Sequence, residues 1–192
     1  MKMLFATLTL VALVSCNAEE KTMTDAPEKA QVERPEADYD PEANLKALNI
    51  ELRTLSTPVA NYVHAVRTGN LIFLAGKGPK KADGNNITGK VGTDLTIEEG
   101  YAAAREAGIN QLSVLKSELG NLNKVKRIVK VKGMVNAPTD FTDQPKVVNG
   151  FSDLMVEVFG ERGKHARAAV GMGSLPGNMA VEVEMVVEVF GQ

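Results

Sequence analysis

The chain has no tryptophan and a single cysteine in 192 residues. Cys16 alone can close no disulfide within the chain, and it excludes a metal cluster built on cysteines. The two histidines, His64 and His165, lie far apart in sequence, and no carboxylate spacing around them suggests a zinc site. No metal site is therefore expected. Aromatic residues make up 5% of the chain and the formal net charge is −2. That leaves few platforms for stacking bases and no global field to hold a polyanion, so no nucleic-acid partner is expected. A membrane span is missing from the N-terminal apolar run as well. Residues 1–15, MKMLFATLTLVALVS, fall short of the ~20 apolar residues a spanning helix needs.

What is present is ordinary for a globular domain: 44% hydrophobic and 24% charged residues. The length fits one domain plus extra segments. Residues 1–15 have a basic start at Lys2 and then an apolar stretch, the pattern of an export signal. Leu13-Val14-Ser15-Cys16 looks like a bacterial lipobox, in which the cysteine becomes a lipid-modified N-terminus. Several acyl chains hold a protein at a membrane far better than one does. Asn17 at the second mature position leans towards the outer membrane, on the periplasmic face. Residues 16–43 then read as a lipid-anchored tether, because their Glu-, Ala- and Pro-rich composition buries too little to offset ordering entropy. The domain is expected over 44–192.

Within it, 44–55 suggests a short helix through Leu45, Leu48 and Leu52. YVHAVR (62–67), the turn at 68–70 and LIFLA (71–75) read as a hairpin. The Gly-rich stretch 76–92 matches no phosphate-binding pattern and reads as loop. Thr96-Ile97-Glu98-Glu99 is a capping box that opens a helix to Leu119, with Gly120 as its C-terminal stop. A strand follows over 125–135, with Lys130 and Lys132 on one face. A second helix starts at Asp143-Gln144-Pro145 and presents Val148, Phe151, Met155 and Phe159 to the core.

The last stretch, His165 to Val189, reads as two strands joined by a short turn. Its second strand alternates: Val181, Val183, Met185, Val187 and Val189 share one face, and Glu182, Glu184 and Glu188 the other. Its first strand is small and bare apart from Arg167. The expected fold is α+β: a mixed or antiparallel sheet with two helices on one face. The valine face would meet the helices. The other face would carry Arg167, Lys130, Lys132 and the glutamates. Arg167 is then either half of a cross-strand ion pair with Glu182 or Glu184, or an anion-binding group.

Taken together, YVHAVRTGNLIFLAGKGP, the helix bearing Asn149, and HARAAVGMGSLPGNMAVEVEMVVEV resemble the YjgF/RidA (L-PSP endoribonuclease) family over about residues 58–190. The resemblance implies a chorismate-mutase-like fold, a homotrimer with clefts between subunits, and hydrolysis of reactive enamines and imines of amino acids to keto acids and ammonia without a cofactor. It places Arg167 on the substrate carboxylate. It gives Glu182 the attacking water, shared with a backbone carbonyl at Ala169. Tyr62, Gly76 and Asn149 become substrate contacts. The family's usual cysteine two residues after the arginine is Ala169 here, the hydroxyl before the cleft glycine is Ala75, and the residue after it is Lys77. Those departures keep open a non-catalytic trimer that binds small carboxylates or a partner protein. RNA cleavage, in the family's older name, is disfavoured by charge and composition.

Overall fold

The computed structural model describes residues 35–55 and 60–191. The proposed export signal and Cys16 lie outside the described residues.

Among the described residues, three α-helices and five strands follow in the order α1 (Pro41–Ala47), β1 (Ala65–Thr68), β2 (Leu71–Lys77), α2 (Ile97–Leu119), β3 (Val125–Asn136), α3 (Gln144–Phe159), β4 (Ala166–Met172) and β5 (Val181–Val189). The sheet order is β1-β2-β5-β3-β4. Every pairing is antiparallel except β3–β4, which is parallel. Parallel neighbours need a crossover, and α3 supplies it.

Local signals fix the long helices. The Thr96 hydroxyl accepts from the Glu99 amide at 3.1 Å, and the Glu99 carboxylate accepts from the Thr96 amide at 2.8 Å. Gly120 closes α2 in a left-handed conformation at φ 72°. The two helices approach closely through glycine. A Cβ on Gly150 would sit 2.0 Å from the Tyr101 carbonyl oxygen, and one on Gly108 would meet Leu154 at 2.7 Å.

The valine face of β5 is buried as its alternation predicts: Val183 and Val187 are fully buried beneath α2 and α3. The opposite face carries the charges. Lys132 pairs with Glu184 at 3.3 Å, and Glu188 pairs with Lys126 at 3.1 Å and with Arg127 at 2.7 Å.

Two expectations change. β4 and β5 are not neighbours, since β3 lies between them. The segment 173–180, with its tight turn at Pro176–Asn178, is long enough to pass over the end of β3. The Asn136 amide donates to the Ala180 carbonyl, and the Ala137 amide to the Met172 carbonyl. The boundary between tether and domain also moves. The chain is docked from Glu36 rather than from 44. Glu36 pairs with Arg162, the Tyr39 hydroxyl donates to the Val125 carbonyl at 2.7 Å, and the Glu42 carboxylate accepts from the Leu122 amide. Arg162 lies 5.2 Å from the centres of both the Tyr39 and Phe190 rings. Composition alone reads this stretch as tether because its few anchors, Tyr39 and Leu45, are spread among acids.

Candidate functional site

Arg167 and Glu182 sit in two separate places. Arg167 pairs in register with the buried Val131, so it shares the helix-side face of the sheet. There its Nη1 donates to Asn149 Oδ1 at 2.8 Å and to Ser152 Oγ at 3.0 Å, both on α3. Neither an ion pair with Glu182 or Glu184 nor a place on the charged face is observed. The physical reason is β4's position at the sheet edge beside α3. On an edge strand, a long side chain on the inner face reaches the helix flank instead of another strand.

Behind Arg167 stands a short relay. The Gly163 carbonyl can only accept, so His165 Nδ1 donates to it at 2.7 Å. Nε2 is left to accept from the Ser152 hydroxyl at 3.1 Å, which frees a Ser152 lone pair for Arg167. Burial lowers the His165 pKa below the ordinary histidine value; the Gly163 bond opposes this and the Arg167 charge adds to it. The neutral imidazole thus holds the serine that steers the guanidinium. Ala169 lies two residues on, on the same face, packed against the core.

Glu182 sits on the other face. The register places Met134 opposite it, so the lysine stripe of β3 that serves Glu184 does not reach it. Its carboxylate instead lies over Gly76. A Cβ at that position would be 2.0 Å from Glu182 Oε1. The β2–β5 register shifts between Leu74 and Lys77, a bulge that turns the chain at the glycine. Gln111 pins the bulge from below. Its fully buried side-chain amide donates to the Ala75 carbonyl at 3.0 Å and to the Val183 carbonyl at 2.6 Å. Gln111 was missed in the sequence, where it stands with Asn110 and Ser113 among the polar residues that α2 buries.

Lys77 follows the bulge. Its ammonium donates to His64 Nδ1 at 2.8 Å. Burial lowers the Lys77 pKa, against the pull of Glu182. Tyr62 precedes β1, is half exposed, and shares no hydrogen bond with Arg167 or Glu182 among the described residues. It belongs to an apolar flank with Val63, Val66 and Phe73, all well exposed.

Arg167 and Glu182 are thus two strands apart and three register positions apart, on opposite faces. Strand spacing and rise put them roughly 14 Å apart at the backbone. No single small carboxylate within one chain touches both.

A mixed five-stranded sheet with helices packed on one face, an edge-strand arginine and a carboxylate folded over a glycine bulge define an α+β protein of the chorismate-mutase-like class. Comparison with known families agrees: residues 42–189 match the family described as "YjgF/chorismate_mutase-like, putative endoribonuclease". The chain belongs to this family. It is 45% identical to Protein TCP17 of Trypanosoma cruzi over 147 residues, covering 76% of this chain and 92% of that protein. It is 29% identical to a 2-iminobutanoate/2-iminopropanoate deaminase of Dermatophagoides farinae over 141 residues, covering 70% of this chain and 94% of that one. Among solved structures, a "putative endoribonuclease" from Shewanella oneidensis MR-1 superposes with a TM-score of 0.75 at 32% identity, covering 78% of this chain and 99% of that chain.

Proposed function

We propose that the protein is a RidA-like hydrolase of reactive imines of small amino-acid-derived carboxylates, acting as a homotrimer whose site is completed between copies. The observation that carries this reading is the separation of Arg167 from Glu182. Arg167 is held by Asn149 and Ser152, Glu182 lies over Gly76, and neither reaches the other. In the composite site, Arg167 and Asn149 of one copy grip the substrate carboxylate. Glu182 and the Gly76 bulge of the next copy face the imine carbon. The exposed flank of Tyr62, Val66 and Phe73 is the apolar surface such an assembly would cover.

The chemistry is addition of water to a protonated imine. Glu182, with the Ala169 carbonyl of the neighbouring copy, orients the water and takes a proton as the C–O bond forms. The proton on Glu182 then passes to the carbinolamine nitrogen, ammonia leaves as the C–N bond breaks, and the hydroxyl proton returns to the carboxylate as the C=O of the keto acid forms. The imine carbon is already electrophilic, so positioning supplies most of the acceleration. Ala169 in place of a thiol leaves this backbone contact intact. The D. farinae relative, whose name is that of an iminobutanoate and iminopropanoate deaminase, supports the reaction class. The lipobox pattern at Cys16 supports an envelope location on a lipid anchor. Palmitate labelling of wild type and Cys16→Ser tests that part separately.

The test of function generates 2-iminopropionate in situ with an amino-acid oxidase and follows its decay with the full chain. Wild type is expected to exceed the buffer rate, and Arg167→Ala and Glu182→Gln to fall towards it. Decay at the buffer rate with wild type would remove the hydrolase reading. Full activity in either variant would remove that residue from the site.

A further inference from the structure

A cavity of about 570 Å³ opens where β2 leaves the sheet, one residue beyond the glycine that Glu182 covers. Its charge is one-sided. Arg53, Lys77, Lys80 and Lys81 line it beside the His64 imidazole, against one carboxylate, Glu51. Two of the cations are already matched: Arg53 by Glu106 at 2.5 Å, and Lys81 by Asp83 at 3.3 Å. Among the described residues, neither Lys77 nor Lys80 has a carboxylate at ion-pair distance.

Lys77 is the informative one. It lies beside the bulge, close enough to Glu182 to feel its charge, and it also lines the cavity. It is partly desolvated, and among the described residues its ammonium bonds an imidazole nitrogen. A half-buried ammonium with no carboxylate in direct contact gains when an anion enters, because the pair then forms away from bulk screening. The cavity is also larger than water attack on a three-carbon imine requires. The Asn110 side-chain amide fixes its rim by bonding the Gly78 and Lys80 carbonyls.

Resting on the hydrolase reading above, we propose that this cavity is a subsite for a second anionic group of the substrate. The imine handled here then derives from a dicarboxylic amino acid. Its α-carboxylate goes to Arg167 and its distal carboxylate to Lys77, with Lys80 as the second cation.

The experiment compares 2-iminosuccinate with 2-iminopropionate, each made in situ from the parent amino acid, using the full chain. Wild type is expected to show a kcat/KM for the dianion about tenfold or more above that for the monoanion, the size of one charged hydrogen bond. Lys77→Met is expected to collapse that ratio towards one, and Lys77→Arg to keep it. Equal kcat/KM for the two imines in wild type, or an unchanged ratio in Lys77→Met, overturns the subsite. Thermal shifts with succinate and propionate at equal concentration give a readout that needs no turnover. Succinate should raise the melting temperature more than propionate in wild type, and lose that advantage in Lys77→Met. If neither imine is hydrolysed, the hydrolase reading fails while these shifts still judge the subsite; equal shifts in wild type overturn it. Borohydride trapping with oxaloacetate checks the competing role of a lowered-pKa amine. A reduced adduct on Lys77 would show a Schiff base and overturn the electrostatic role.

Discussion

If Arg167 of one copy works with Glu182 of the next, two inactive variants should repair each other. The perturbation is co-expression of Arg167→Ala and Glu182→Gln chains at equal levels, each with its own tag, followed by purification on both tags. The reasoning rests on the placement of the two residues on opposite faces, with β3 between them. A productive site needs its arginine from a Glu182→Gln copy and its glutamate from an Arg167→Ala copy. In random assembly around a cyclic symmetry, each condition is met half the time, so about one site in four is intact. Selection for both tags removes pure assemblies and raises the fraction to about one in three for a trimer. The assay is decay of 2-iminopropionate per site. Each variant alone should run near the buffer rate, and the mixture at about a quarter to a third of wild type. A mixture no faster than the separate variants, in assemblies shown to contain both tags, would refute the shared site. A mass measurement by light scattering of the wild type gives the number of copies, and a monomer would refute it sooner.

The other predictions are local. Gly76→Ala should displace the Glu182 carboxylate, because the added Cβ would lie 2.0 Å from Oε1. A displacement of about 1 Å suggests a loss of roughly 100-fold in kcat with the fold intact by circular dichroism. Gly150→Ala meets a backbone carbonyl that has no rotamer to escape into. It should destabilise by about 1–3 kcal/mol in urea melts without reference to the site. Tyr39→Phe removes the hydrogen bond to the Val125 carbonyl and should cost about 1 kcal/mol in the same measurement. His165 has a folded pKa below its ordinary 6.5, so the unfolded chain binds the extra proton first. Stability should therefore fall as pH drops through 6.5 towards the lowered folded value, and His165→Gln should flatten that part of a pH-melting profile. The same variant should raise KM more than it lowers kcat, since it acts on the steering of Arg167.

The sequence carried the elements whose signals are local. The capping box at Thr96 and the stop at Gly120 bound α2 without help from the rest of the chain. The alternation over 181–189 identifies both faces of β5. Pairing was less legible. A short link between two strands suggests a hairpin, and sequential strands are neighbours often enough to make that the default. Here β3 takes the middle position because α3 carries the chain back in parallel. That one change moved Arg167 from the charged face to the helix flank. The residues Arg167 relies on, Ser152 and His165, could not be read in advance for the same reason: their meeting depends on β4 lying beside α3. Gln111 was not singled out because α2 also buries the polar Asn110 and Ser113. The docked stretch from Glu36 was hidden by composition, because one tyrosine ring and one arginine hold it.

Gly76 has a consequence for how proteins of this shape can change. The volume a side chain would take there is filled by the Glu182 carboxylate. At Ala75 both backbone groups are committed, the amide to the His64 carbonyl and the carbonyl to Gln111. Substitution at 76 therefore competes directly with the Glu182 carboxylate, while the side chains at 75 and 77 project from a fixed backbone and can vary without moving it. A protein that kept the bulge could acquire a new substrate range by exchanging those two flanking side chains. In this chain those flanking positions hold Ala75, a hydroxyl-free wall on one side, and Lys77, a cation on the other.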